Sequence, residues 1–131
     1  MIKEFKTAQE ACDYSVKQIV AQGGRCVSND YCRYSDGQGH HCGIGWLLDP
    51  DDKDLMNYVG YVHHMIEGLP NKVPQIIKDN VGLFGTLQEF HDEDYSIIRE
   101  NYRNRLRDNY KIDTSAAHWQ QWIDKGAEEV V

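Results

Sequence analysis

Between Cys32 and Leu48 the chain reads CRYSDGQGHHCGIGWLL, and this stretch restricts the fold more than any other. Four glycines fall within these seventeen residues, two of them in Asp36-Gly37 and Gln38-Gly39 turn signals. Glycine at that density opposes a helix, because each one loses more backbone entropy on ordering than alanine does. The segment must therefore be a turn-rich insertion between helices, and its backbone N–H and C=O groups need partners from elsewhere. A small β-hairpin with strands near 31–34 and 40–45 is the expectation. Gly43 and Gly45 flank Ile44, which predicts close backbone approach or unusual dihedrals just after Cys42.

Helical signals lie on both sides. Thr7-Ala8-Gln9-Glu10 has the capping-box pattern. Ala8, Ala11, Cys12, Ser15, Val16, Ile19 and Val20 then repeat at helical spacing until Gly23-Gly24, which predicts a helix over 7–22. Cys12 falls on its apolar face as a buried structural thiol. Asp49-Pro50-Asp51-Asp52 predicts a second start, with Asp49 as N-cap, Pro50 at the first position, and Leu55, Met56 and Val59 facing inward before Gly60. Residues 61–74 show no clean period and are expected to be loop, with at most one helical turn. A short helix is expected over 74–80. Leu83, Phe84, Leu87 and Phe90 mark another helix, with Gln88 and His91 on neighbouring positions of its inner face. Asp94 can cap the next helix, carried by Tyr95, Ile98, Tyr102 and Leu106 and ending near Tyr110. Asp113, Thr114 and Ser115 offer a cap for the last helix, with Trp119, Trp122 and Ile123 inside. The fold class is mostly α (α+β): one compact helical domain over 1–131 with a small hairpin near 31–45.

Composition narrows the function. The length of 131 residues suits one domain, and 40% hydrophobic with 27% charged content suits a globular protein. Fourteen basic against 21 acidic residues give a net charge of −7, which disfavours non-specific nucleic-acid binding. No apolar run approaches the roughly 20 residues needed to span a bilayer, so no membrane association is expected. The N-terminal MIKEFKTAQEACDY has no apolar core of a signal peptide. The cytoplasm is the expected location, with the four cysteines as thiols or ligands before disulfides.

Two chemistries can be drawn from the residue inventory. Cys42 followed by Gly43 could present backbone N–H groups as an oxyanion hole, with Cys42 as nucleophile and His91 as base. Asp92 or Gln88 would then orient the base or donate to the oxyanion. Asp92 follows His91 on a helix and points about 100° away, which weakens that arrangement. Alternatively Cys32, Cys42 and His41, with His40 or His91 nearby, offer sulfur and nitrogen ligands for zinc. However, the cysteines lack the usual knuckle spacing. Without such geometry no cofactor is expected. A structural account competes with both: Gln88 and His91 would hydrogen-bond buried backbone of the Cys32–Cys42 loop, and Asp92 would cap the following helix. Arg99, Arg103, Arg105, Arg107 and Lys111 are expected on a solvated helix face, with Asp94, Glu100 and Asp108 interspersed.

The order of short motifs resembles that of an uncharacterised family of small phage and prophage proteins. Gln22-Gly23 comes first, then Cys32-Arg33-Tyr34, then Cys42-Gly43-Ile44-Gly45-Trp46-Leu47-Leu48. Glu67-Gly68 and Leu87-Gln88-Glu89-Phe90-His91-Asp92 follow. Gly43 stands where alanine is usual in that family, and Arg33 and Tyr34 appear in altered order. The resemblance spans about residues 17–92 and implies a phage or mobile-element origin without implying an activity. The expectation is a cytoplasmic phage-type accessory protein that binds a host protein. The alternatives are a cysteine enzyme built on Cys42 and His91, or a Cys/His metal-binding protein. Eight Tyr and three Trp are a supply of interface anchors. The sequence does not specify an oligomeric state.

Overall fold

Helix α1 (Ala8–Gln22) begins and ends where its sequence signals lie. The Thr7 side chain accepts the Glu10 N–H at 3.1 Å, and Gly23 closes the helix in the left-handed region at φ 89°. A computed structural model describes residues 4–24, 27–28, 31–32, 34–35 and 39–128. Among them are seven helices: α1, α2 (Lys53–Met56), α3 (Val62–Gly68), α4 (Gln75–Asp79), α5 (Val81–Asp92), α6 (Ser96–Tyr110) and α7 (Ala117–Asp124). The molecule is predominantly helical, and none of these helices is long and apolar enough to cross a membrane.

Helix α5 is the hub. It packs against α1, α3, α4 and α6, while α7 closes the far side against α1 and α6. One hydrophobic core joins Val16 and Ile19 of α1, Phe84, Leu87 and Phe90 of α5, Leu106 of α6, and Trp119 and Trp122 of α7. Both α7 tryptophans are buried with their indole N–H groups satisfied. Trp119 donates to Asp13 Oδ1 at 2.9 Å, and Trp122 donates to the Phe90 carbonyl at 2.8 Å. Cys12 lies in this core, and burial pushes its thiol pKa well up, so it is held as the neutral thiol.

Among the described residues, the hairpin expected over 31–45 is not seen. Among the described residues, β pairing joins β1 (Val27–Ser28) to β2 (Tyr31–Cys32), with Val27 opposite Cys32 and Ser28 opposite Tyr31. Further on, a single isolated bridge links Ser35 and His41. Around that bridge several backbone groups bond to other parts of the fold. The Gln22 side chain takes both the N–H and the C=O of His41, and Tyr34 N–H donates to the Tyr58 carbonyl at 3.4 Å. Past Cys42 the chain turns into a short 3-10 segment, Gly45–Leu47. The turn residues 36–38 lie outside the described residues.

Other expectations also shift. The second helix starts later than the Asp-Pro signal. Asp52 is its N-cap and accepts the N–H groups of Asp54 and Leu55, whereas Asp49 makes an Asx-type bond to Asp51 N–H. Val59 therefore lies beyond the helix and is exposed. The stretch expected to be loop contains α3, whose Val62 and Met65 are buried. Before α6, Glu93 Oε1 accepts the N–H groups of Asp94 and Tyr95, and the N-cap Tyr95 has no side-chain cap bond. Arg99 is not on the solvated face. It is buried, stacks 3.7 Å from the Trp122 ring centroid, and donates to the carbonyls of Glu93 and Trp122 at 2.6 Å each.

Candidate functional site

Two glutamines position the Cys42–Leu48 turn and the segment facing it. Gln22, at the last turn of α1, uses its whole amide. Its Oε1 accepts from His41 N–H at 3.1 Å and from Trp46 Nε1–H at 3.0 Å. Its Nε2 donates to the Gly24 carbonyl at 2.6 Å and the His41 carbonyl at 2.7 Å. A primary amide has two donors and two acceptor sites, and here all four are engaged. Gln88 does comparable work from α5. Its Oε1 accepts Val62 N–H at 2.8 Å, and its Nε2 donates to Tyr34 Oη and the Gly60 carbonyl at 3.1 Å each. Tyr34 Oη also donates to the Gly60 carbonyl at 2.9 Å. Gln88 thus satisfies buried backbone as expected, here at Gly60 and Val62, and also bonds the Tyr34 side chain of the Cys32–Cys42 loop.

The turn itself is folded inward. Cys42, Ile44 and Leu47 are buried. Gly45 N–H donates to Cys42 Sγ at 3.3 Å, Trp46 N–H to the Cys42 carbonyl at 3.1 Å, and Leu47 N–H to the Ile44 carbonyl at 2.9 Å. The glycines serve close approach. A Cβ on Gly45 would strike the Tyr34 carbonyl oxygen, and one on Gly43 would strike the His91 ring. Ser15 Oγ of α1 donates to the Gly43 carbonyl.

His91 is therefore brought into the same buried corner as Cys42. Its ring has no exposure and neither nitrogen has a hydrogen-bond partner. Its neighbours are Gly43, Phe90 at 5.5 Å between ring centroids, and Trp122 edge-on at 6.4 Å. Burial first, and the Arg99 charge second, push its pKa down from 6.5 to about 3. The imidazole is neutral at physiological pH.

The candidate catalytic residues are thus partly united. Cys42 and His91 share a corner through Gly43. Gln88 lies beside His91 on the helix but bonds toward Tyr34, Gly60 and Val62. Asp92 follows His91 and is half-buried. The N–H groups of Gly45, Trp46 and Leu47 are all occupied within the turn, so none of the three points at an incoming oxyanion. For the metal set, His41 places Nδ1 3.2 Å from the Tyr34 carbonyl and its ring edge-on to Trp46 at 4.6 Å. The Cys32 side chain lies outside the described residues. Among those described, no group of three or more His, Cys, Asp or Glu is placed to hold a metal.

Sequence reasoning missed Tyr34, Arg99 and Trp122 as the walls of this corner. It also missed the double clamp of Gln22, whose only local signal is a glutamine directly before the helix-ending glycine.

A different surface is open. Between α2 and α3, Val59 is 43% exposed and Tyr61 is 52% exposed. The Tyr61 ring stacks on His63 at 6.2 Å, and His63 lies 4.0 Å from His64. Beside Val59 a cleft of about 530 Å³ is lined by Lys53, Asp54, Asn57, Tyr58, Gly68 and Leu69. Comparison with protein-family models, curated proteins and solved structures finds no match to this chain.

Proposed function

We propose that the protein is a phage-type accessory protein that acts in the host cytoplasm by binding a host protein through the surface around Val59 and Tyr61. The observation that carries this is the contrast in accessibility. Cys42, Gln88 and His91 have no exposed surface, while Val59, at the edge of an open cleft, and Tyr61, two residues further on, present apolar area to solvent. A nucleophile needs a reachable substrate, a base in contact and free oxyanion donors. An aromatic ring half in solvent next to a concave surface is the usual composition of an interface anchor. The net charge of −7 supports a protein partner over nucleic acid. The resemblance to phage and prophage proteins supports the origin.

The test has two arms. A photocrosslinking residue at position 61 is exposed to bacterial lysate, with one at exposed Ser115 as control. A discrete adduct at 61 that is absent at 115 and is abolished by Val59→Ser is the expected result. The second arm is iodoacetamide labelling at neutral pH. Cys12 and Cys42 should react slowly until denaturant is added. Rapid labelling of Cys42 in the folded protein, with no adduct at 61, would replace the binding proposal with the cysteine enzyme.

A further inference from the structure

We propose that His91 is an acid-sensitive latch: uptake of a proton on its buried ring releases α7 from α5 and α6. The geometry leaves the imidazolium no accommodation. The ring lies against the backbone of Gly43, where a Cβ would not fit, and edge-on to Trp122. Protonation would make both nitrogens donors, and neither has an acceptor within reach. A buried cation without a partner is expelled or neutralised.

The surrounding groups determine which element gives way. From α6 comes the Arg99 guanidinium, whose charge, second to burial, disfavours a proton on His91 and so repels an imidazolium. Arg99 also holds α7, through its bond to the Trp122 carbonyl and its stacking on the Trp122 ring. Repulsion between His91 and Arg99 therefore acts on the seat of α7. From the turn come Gly43 and the neighbouring Cys42 thiol. From α1 comes the Ser15 hydroxyl, which is spent on the Gly43 carbonyl. On α5 itself Asp92 follows, about 100° round the helix. From α7 the titratable group is His118, whose Nε2 lies 3.6 Å from Asp13 Oδ1 on α1.

The sign follows from linkage. The folded state disfavours the proton on His91, so full stability is present above the unfolded value of 6.5. It is lost as pH falls from there toward about 3. Trp119 and Trp122 lie on α7, so their fluorescence reports its docking.

The experiment is an acid titration from pH 7 to 4 of the full chain and of His91→Gln, followed by tryptophan emission and by far-ultraviolet circular dichroism. The expected wild-type result is a red shift that precedes the loss of helical signal. In His91→Gln the red shift should move down by about one pH unit or more, because its side chain binds no proton in this range. Superimposable red shifts in the two proteins would overturn the latch. If His91→Gln does not fold, nitrogen-15 resonances of the wild-type imidazoles decide. Support is a His91 that stays neutral while α7 is docked and becomes protonated in step with the red shift. A His91 that titrates near 6.5 with unchanged fluorescence overturns it.

Discussion

Gln88 and His91 lie three residues apart on α5, both are fully buried, and their surroundings are opposite. Around Gln88 every polar group is answered: Val62 N–H, the Gly60 carbonyl and Tyr34 Oη all bond to its amide. Around His91 there is shape alone, made by Gly43, Phe90 and Trp122, and neither ring nitrogen has a hydrogen-bond partner. The first corner fixes which residues of the 58–62 segment meet α5, because a shift of one residue would orphan three groups. The second corner holds its residue by packing, and its histidine adds sensitivity to acid in place of specificity. Burial of a polar residue is therefore not enough to infer its role, and its partners decide.

Mutations test this contrast. The largest effect is expected for Trp122→Ala, which removes a buried ring, frees the Phe90 carbonyl and takes away the platform under Arg99. Urea denaturation at pH 7 should show a loss of about 3–5 kcal/mol. A loss below about 1 kcal/mol would mean that α7 contributes little to the core. Next comes Gln88→Leu, which keeps apolar volume but leaves Val62 N–H unpaired in the core. A loss of about 1–3 kcal/mol per orphaned group is expected, with Tyr34 Oη and the Gly60 carbonyl still bonded to each other. The smallest effect is expected for His91→Leu at pH 7. Removing nitrogens that have no partners should be near neutral or slightly stabilising, within about 1 kcal/mol of wild type. If His91→Leu proved as costly as Gln88→Leu, the two corners would be alike and His91 would hold bonded backbone after all. By contrast, His91→Ala would be costly through the cavity it leaves, whatever its nitrogens do.

The long helices were legible from sequence. α1 carries its own cap, stripe and stop, and α5, α6 and α7 repeat apolar residues at three and four. Helix α3 was not legible, although Val62 and Met65 are correctly spaced. It is seven residues long, shorter than the window over which a period stands out, and it has no side-chain cap. The expected hairpin differs for another reason: turn residues and alternation can be read locally, but the clamp that Gln22 places on the His41 backbone cannot. Arg99 was misplaced because charge alone suggested solvent, whereas Trp122, which lies 23 positions on, provides a buried seat. At the candidate site, close approach at Gly43 and Gly45 was legible from their lack of a Cβ. What approaches them was not.

The chain's own pattern was enough for the local elements: where α1 starts and stops, and which faces of α5, α6 and α7 turn inward. These follow from dihedral preferences and from the period of apolar residues, both of which act within a turn or two of chain. The partners came from the tertiary fold. It assigned Gln22 to the turn, Gln88 to residues 34, 60 and 62, Arg99 to Trp122, and left His91 with packing alone. Hydrogen bonds between groups tens of residues apart depend on where segments meet after the core has formed, and no local pattern encodes that meeting point.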